Sequence, residues 1–374
     1  MLRCPQVCRF FGSGSIAWWL GLVVFCLPLA SGCGYFSATP TDSTAEETSG
    51  QAPEEGSKAK NSETPEGTAA APPATVNPLT PTSIPTALPP TRGALTSVTT
   101  RPLMIGSFNI QRFGKTKSEL AHVMNQLMEI TYPFDVLAIQ EVVSKDEAVV
   151  QKFVASLNAK YGAKFNYAVG PFVGRTTYVE RAAYIYDTSR VKLVEQPFIL
   201  ADPDDKLHRE PFVARFQVRE ELSNNPFSFV MVNVHLDPKD AAAELDHISD
   251  LLNALQSMFQ GQEDDFLFVG DFNLSPGKMF KETKFSARPE WKPVLDDRVM
   301  TNTRKNQAYD NILYHVDNTS EFLRRQGVID LEARFNITLD EALQISDHLP
   351  IWAAFALDES GPQNVAGAGA GPVR

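Results

Sequence analysis

Eight short runs rich in Val, Ile, Phe and Tyr are spaced through residues 101–357, and several end in a polar residue. They are Met104–Ile110, Val136–Gln140, Ala183–Tyr186, Phe212–Val218, Phe227–His235, Phe266–Val269, Asn311–Tyr314 and Ile351–Phe355. Branched and aromatic side chains in runs this short fit a pleated sheet better than a helix. Helical patterns lie between some of them. Leu120, Val123, Met124, Leu127 and Met128 recur at helical spacing. Ser144 and Glu147 form a capping box ahead of Val149, Val150, Phe153, Val154 and Leu157. Ala241–Phe259 carries Leu245, Ile248, Leu252, Leu255 and Phe259 on one stripe, which reads as core. No repeat of fixed period is visible. The mixture predicts an α/β sandwich, two packed sheets with helices outside.

The rest of the chain cannot join that globule. In residues 1–33, Arg3 and Arg9 precede an apolar run from Ile16 to Ala30 that ends in small residues. The run is short for a membrane span and reads as an export signal. Leu29-Ala30-Ser31-Gly32-Cys33 resembles a bacterial lipobox, in which Cys33 would carry lipid. Ala30 stands where leucine is usual, so plain secretion or an uncleaved anchor remain the alternatives. All four cysteines (Cys4, Cys8, Cys26, Cys33) fall in this segment, which excludes a cysteine nucleophile or Cys-ligated zinc from the folded part. Residues 34–100 hold ten of the 26 prolines among Thr, Ala, Ser and Glu. Such a stretch buries too little apolar surface to offset its ordering entropy and is expected to be a tether. Residues 358–374 are expected to be a flexible tail. Residues 101–357 contain 28 Lys and Arg against 36 Asp and Glu, net −8. That balance counts against a tight, metal-free nucleic-acid binder, and less against an enzyme whose cleft carboxylates hold cations.

The polar residues at the strand ends carry the chemistry. Asn109 follows Gly-Ser-Phe, Glu141 ends Asp-Val-Leu-Ala-Ile-Gln-Glu, and His235 ends Val-Met-Val-Asn-Val-His. Asp271 and Asn273 sit in Val-Gly-Asp-Phe-Asn, Asp310 in Ala-Tyr-Asp-Asn-Ile, and Asp347 and His348 in Ile-Ser-Asp-His-Leu-Pro. One such residue is ordinarily a cap or a turn. Six strands that each deliver one predict a converging site. Carboxylates and amides are hard oxygen ligands suited to Mg²⁺, Mn²⁺ or Ca²⁺. Two histidines beside such a cation suit phosphoryl chemistry, one taking a proton from water and one serving the leaving oxygen. Each needs a carboxylate on its far nitrogen to orient it, and Glu180 and Asp310 are the candidates.

The stretches FNIQRFGKTK (108–117), DVLAIQEV (135–142), TTYVERAAYIY (176–186), HREPFVARF (208–216), VNVHLDPKDAAAEL (232–245), VGDFNLSP (269–276), QAYDNIL (307–313) and ISDHLPI (345–351) together resemble the endonuclease/exonuclease/phosphatase superfamily. Within it the domain looks most like the deoxyribonuclease I family. The resemblance implies a four-layer sandwich of two packed mixed β-sheets flanked by helices. It implies a Mg²⁺-dependent (or Mn²⁺-dependent) phosphodiesterase, with Ca²⁺ as an accessory candidate and DNA as the substrate. It gives Glu141 as principal metal ligand, with Asn109, Asp271 and Asp347 around the cation, and Asn273 on the scissile phosphate. His235 with Glu180 and His348 with Asp310 become the acid and base. Tyr178 matches a residue that packs against DNA in the minor groove, and Arg209 one that contacts phosphate; for Arg209 a structural ion pair is the alternative.

The departures bear on the substrate. The family's two disulfides are absent, with Pro276 and Gln307 at the positions of one of them. Val143, Gln111 and Asn311 stand where the family carries arginines, although Arg112 adjoins Gln111. Lost groove contacts weaken duplex binding but leave the hydrolytic set intact. A phosphoesterase acting on a lipid headgroup, inositol phosphate or other small phosphoester is therefore the second reading. A non-catalytic binding scaffold is the third, and the full ligand set opposes it. No membrane-inserting apolar loop or basic inositol-phosphate pocket is evident. A monomer without a protein partner is expected. His122 and His247 are expected to be solvated on helices, and His208 and His315 to lie near the cleft without a role.

Overall fold

From Leu103 onward the first strand's side chains alternate between two surroundings. Leu103 and Ile105 pack into one apolar layer, and Met104 and Phe108 into another. A strand covered on both faces requires that period of two. The computed structural model describes residues 101–145, 148–175 and 177–359. The export segment with Cys33, the tether, Glu147 of the capping box and residues 360–374 of the tail lie outside them.

The strands are β1 (Leu103–Phe113), β2 (Val136–Val142), β3 (Phe165–Val169), β4 (Arg181–Asp187), β5 (Val191–Leu193), β6 (Phe198–Ile199), β7 (Phe212–Val218), β8 (Ser228–His235), β9 (Phe266–Asp271), β10 (Trp291–Pro293), β11 (Asp310–His315), β12 (Phe322–Val328) and β13 (Ile351–Phe355). The helices are α1 (Lys115–Ser118), α2 (Ala121–Thr131), α3 (Ala148–Tyr161), α4 (Ala241–Met258), α5 (Pro276–Glu282), α6 (Leu331–Phe335) and α7 (Leu339–Ile345). One sheet runs β12-β13-β1-β2-β4-β3, and the other β10-β11-β9-β8-β7-β5, with β6 also on β7. The β1–β2 and β8–β9 pairs are parallel and the remaining pairs antiparallel, so both sheets are mixed.

Three apolar layers hold four layers of structure. The first joins β1, β2 and β4 to α2, α3, α6 and α7. The second lies between the sheets, where Ile105, Ala138 and Tyr184 meet Phe216, Met231 and Val269. The third packs Leu245, Ile248, Leu252 and Leu255 of α4 against Val232 and Phe268. Each of those α4 side chains is fully buried, a contribution of roughly 1.5–3 kcal/mol apiece. The expected four-layer sandwich is present, with all eight expected strands.

Counting by twos along the face between the sheets, apolar side chains give way to polar ones at one end. In β1 the series is Leu103, Ile105, Ser107, Asn109, and in β8 it is Phe229, Met231, Asn233, His235. Val136, Ala138 and Gln140 of β2 follow suit, as do Leu267, Val269 and Asp271 of β9. The transition is a seam of buried amides. Gln140 Nε2 donates to Asn233 Oδ1 at 2.6 Å and to Ser107 Oγ at 3.0 Å. Asn233 Nδ2 reaches the carbonyls of Ile139 at 3.1 Å and Ala183 at 3.2 Å. Those carbonyls border the place where β2 slips register on β4, between Ile139 and Val142, so the seam satisfies backbone groups beside the irregularity.

Three expectations change, and Asn311 gains a structural role. His247 is buried, with Nε2 2.7 Å from Asp202 Oδ1, because the 200–207 segment folds over α4. His315 ends β11 at the far end from Asp310 and meets the Trp291 ring edge-on at 5.5 Å, away from the cleft. Asn311 is buried and bonds both backbone groups of Leu295, so it has a structural post. Asp358 and Glu359, assigned to the tail, are tied back to Ser223, Asn225 and Ser228.

Candidate active site

The sequence-predicted catalytic, metal and substrate residues come to one end of the sandwich, where the polar end of the inter-sheet face lies, while Cys33 lies outside the described residues. β8 and β9 end there at His235 and Asp271, and β1 and β2 bring Asn109 and Glu141 there before running on to Phe113 and Val142. β4, β11 and β13 begin there, next to Glu180, at Asp310 and just after His348. Pairing sets the neighbours: His235 lies opposite Asp271 in the parallel β8–β9 ladder, and Asp310 opposite Asp271 in the antiparallel β9–β11 ladder.

Asp271 is the centre. Its Oδ2 is 3.2 Å from Asn109 Nδ2, 3.6 Å from His235 Nε2 and 3.5 Å from His348 Nε2. Each imidazole is backed on its other nitrogen. His235 Nδ1 is 2.6 Å from Glu180 Oε1, and His348 Nδ1 is 2.9 Å from Asp310 Oδ2. Both carboxylates are buried, and Thr301 Oγ1 donates to the same Asp310 oxygen at 2.8 Å. A carboxylate on Nδ1 fixes the tautomer that turns Nε2 to the reacting side. Burial alone would lower both histidines. The Glu180 charge and hydrogen bond, with Asp271, raise His235 in net. Asp310 and Asp271 raise His348 well above the ordinary value. Asp310 is itself raised, by burial first, although His348 pulls the other way.

Glu141 occupies a left-handed backbone conformation (φ 61°) at the β2 irregularity, which re-aims its side chain. Its Oε1 accepts from Asn109 Nδ2 at 3.1 Å, and its Oε2 from the Arg112 amide at 2.9 Å and the Tyr178 hydroxyl at 2.8 Å. Burial would raise this carboxyl, but His235, Tyr178, Asn109 and the Arg112 amide together lower it, so it is anionic at neutral pH. Gln111, Arg112 and Asn273 are also left-handed, at φ 40°, 54° and 49°. Asn273 donates from Nδ2 to the Leu236 carbonyl at 2.9 Å and from its amide to Asp271 Oδ1 at 3.0 Å.

Asp347 is half-exposed at 46%, with Oδ1 lacking a hydrogen-bond partner and standing 3.9 Å from His348 Nε2. Asp271, Asp310 and His348 form a group of metal-capable atoms here, within 4.8 Å of one another. Asn109 joins Glu141 to Asp271, while Asp347 stands on the His348 side. Tyr178 is bound to Glu141 through its hydroxyl. Arg209 donates from Nε to the His235 carbonyl at 2.8 Å and lies 4.0 Å from Glu180, with a buried Nη2 that has no partner. The ion-pair alternative for Arg209 thus holds in part.

Lys117 was not anticipated. Its Nζ donates to the carbonyls of Ile110 at 2.7 Å and Ile345 at 2.6 Å, joining β1 to the segment that carries Asp347. Burial pushes it down to about 8, with Asp347 and Glu141 opposing. Ser346 adds a second tie, donating to the Asn109 carbonyl at 2.7 Å and accepting from the His348 amide at 3.0 Å. Lys117 closes the 108–117 stretch and Ser346 lies in the 345–351 stretch. A groove of about 700 Å³ beside the site is lined by Gln111, Arg112, Lys115, Val143 and Lys145 among others.

Residues 106–348 match the Endonuclease/Exonuclease/phosphatase family. The chain is 30% identical over 264 residues to deoxyribonuclease-1-like 1 of Chlorocebus aethiops, covering 68% of this chain and 85% of that protein. It is 27% identical over 263 residues to deoxyribonuclease gamma of Rattus norvegicus, covering 67% and 83%. Among solved structures, the human Nocturnin catalytic domain with bound sulfate aligns at 18% identity and a TM-score of 0.47, over 68% of this chain and 94% of that one.

Proposed function

Since the chain belongs to the endonuclease/exonuclease/phosphatase family, we propose that it hydrolyses phosphodiester bonds and that DNA is its substrate. One observation carries the hydrolytic reading: two imidazole Nε2 atoms face the same Asp271 oxygen at 3.6 and 3.5 Å, each backed by a buried carboxylate.

The residues present fit a divalent cation. The carboxylates of Glu141, Asp271 and Asp347 are oxygen donors, Glu141 is held anionic, and Asp347 Oδ1 has no partner within the protein. Glu141, Asp271 and Asp347 would hold it, with Asn109 beside them, its Nδ2 joining Glu141 to Asp271 and its Oδ1 accepting from the Gln111 amide. When bound, Mg²⁺ or Mn²⁺ supplies positive charge to the phosphate as negative charge develops on it. The chain does the rest. Glu180 and Asp310 orient the two rings. One histidine accepts the proton of the attacking water at Nε2, and the other donates from Nε2 to the leaving oxygen. Asn273 and Arg209 border the space where the phosphate sits, and the buried Arg209 Nη2 is a free donor for it.

DNA is favoured over a small phosphoester by the groove beside Glu141. It gathers Arg112, Lys115 and Lys145 on a domain that is otherwise net acidic. The two deoxyribonuclease relatives support the same substrate. Val143 in that groove leaves a minor-groove insertion unsupplied, so backbone contacts carry the binding. Supercoiled plasmid, incubated with Mg²⁺ or a chelator beside His235→Ala and His348→Ala, tests the proposal. Nicking that needs metal and both histidines is the expected result. Intact plasmid together with hydrolysis of bis-p-nitrophenyl phosphate would move the substrate to a small phosphoester, and no reaction with either would sink the hydrolytic reading. We further propose export and lipid anchoring at Cys33, with the domain extracytoplasmic. Cys33→Ala should then release the chain from the membrane fraction.

A further inference from the structure

At the end of the sandwich opposite the catalytic residues, Asp265, Glu321 and Glu359 each bring one carboxylate oxygen within 4.8 Å of the others. Asp265 immediately precedes β9 in one sheet, and Glu321 immediately precedes β12 in the other. Glu359 lies beyond β13, where its Oε1 accepts from the Ser228 amide at 2.7 Å. Asp265 is 2% exposed and Glu321 1%. Asp265 Oδ1 and Glu321 Oε2 are buried without a hydrogen bond, although the Thr319 hydroxyl acts on the Asp265 carboxylate. The other Glu321 oxygen accepts from Ser320 Oγ at 3.2 Å.

A fourth acid nearby is provided for. Glu263 accepts from the Asp264 and Asp265 amides at 3.2 Å each, from Ser228 Oγ, and from Arg215 Nε at 3.3 Å. Among the described residues, no cation is recorded in an ion pair with the other three. Three carboxylates meeting at low exposure without a counter-charge are costly unless a proton or a cation joins them.

We propose that Asp265, Glu321 and Glu359 form a Ca²⁺ site separate from the catalytic centre. The donors are all oxygens, the preference of a hard cation. Oxygens on opposite sides of Ca²⁺, at 2.3–2.6 Å each, stand about 4.6–5.2 Å apart. The observed spread therefore admits the ion with little movement. A cleft of about 520 Å³, lined by Gln260, Gly261, Glu263 and Glu359 among others, opens on the Glu359 side of the cluster. β9 runs from this cluster to Asp271, so the two sites are roughly 20 Å apart at about 3.3 Å per residue. The ligands come from both sheets and the C-terminal segment, so the ion would join them as a staple.

The test uses the mature full-length chain carrying Glu141→Gln, so that the catalytic ligand set is disabled. Calorimetric titration with Ca²⁺ alone is compared with the same chain also carrying Glu321→Gln, and melting is followed with Ca²⁺ and with chelator. The expected result is a stoichiometry one ion lower in the double variant. A Ca²⁺-induced rise in Tm on the order of 5 °C should be lost with it. In chelator the double variant should melt at or above its parent, because the amide relieves repulsion without disturbing the fold. Asp265→Asn should reproduce the loss. Unchanged stoichiometry in both variants would overturn the site. So would a parent that takes up no Ca²⁺ and is stabilised only by lowering the pH, the signature of shared protons instead. Plasmid nicking by the otherwise unaltered chain is read separately, so failure here leaves the hydrolytic proposal standing.

Discussion

At the scale of residues, the two histidine–carboxylate pairs make separable predictions. His235→Ala and His348→Ala should each lower nicking by about 10²–10⁴-fold, the usual worth of a positioned acid or base. Glu180→Gln should keep His235 in place yet remove the charge that raises it, so activity falls while melting changes little; a melting point that collapses with activity would mean Glu180 is mainly structural. Tyr178→Phe removes one hydrogen bond from Glu141 and should cost less than about tenfold, seen chiefly as a higher Mg²⁺ requirement in a metal titration. The histidines and their carboxylates were legible in the sequence because they stand at or near the ends of apolar runs, where a polar side chain must point at something, whereas Tyr178 was reached only through the family resemblance. Lys117 was not legible. It stands in a four-residue polar helix and looks like a surface lysine, and its use depends on the carbonyl of Ile345, 228 positions away.

At the scale of elements, the β8–β9 ladder determines whether His235 meets Asp271 at all. Gly270 has φ 145°, and a Cβ there would sit 1.9 Å from the Val234 carbonyl oxygen. Gly270→Ala should therefore cost more than about 3 kcal/mol in urea unfolding, or prevent soluble expression. Lys117→Met keeps the apolar stem but drops both carbonyl bonds, loosening β1 from the Ile345–His348 segment. Its kcat should fall more than its KM rises, whereas Lys117→Arg should recover part of the loss. Strands with clean alternation were found from sequence to within a few residues. β12 was missed because Arg324 and Arg325 interrupt it at a register shift, β3 because only Phe165 in it is buried, and β5, β6 and β10 because two or three residues show no period. Glu141 could be placed at a strand end but not aimed, since an irregular ladder turns it.

At the scale of the whole molecule, stability in chelator should fall as pH rises from 6 to 8. Burial pushes Asp265 up to about 8 and Glu359 up to about 7, each helped by neighbouring acids. The folded state then binds more protons than the unfolded one, so that stability is complete below the ordinary carboxyl range and is lost through about 7 to 8. His235 and His348, both raised, act in the same direction. Lys117, pushed down to about 8, opposes only at higher pH. Urea midpoints measured across that window should decline in chelator and flatten with Ca²⁺; a flat profile in chelator would contradict the buried-acid account. Four residues around the catalytic end, Gln111, Arg112, Glu141 and Asn273, hold left-handed conformations without being glycine. At roughly 1 kcal/mol each, that is a sizeable share of the 5–15 kcal/mol by which domains ordinarily stay folded. Selection for thermal endurance alone would exchange Gln111 and Arg112 for glycine, and the resulting chain would outlast this one in heat while cutting more slowly. A chain so exchanged that gained in melting point and lost turnover would set heat tolerance against activity in the backbone, before any side chain touches the substrate.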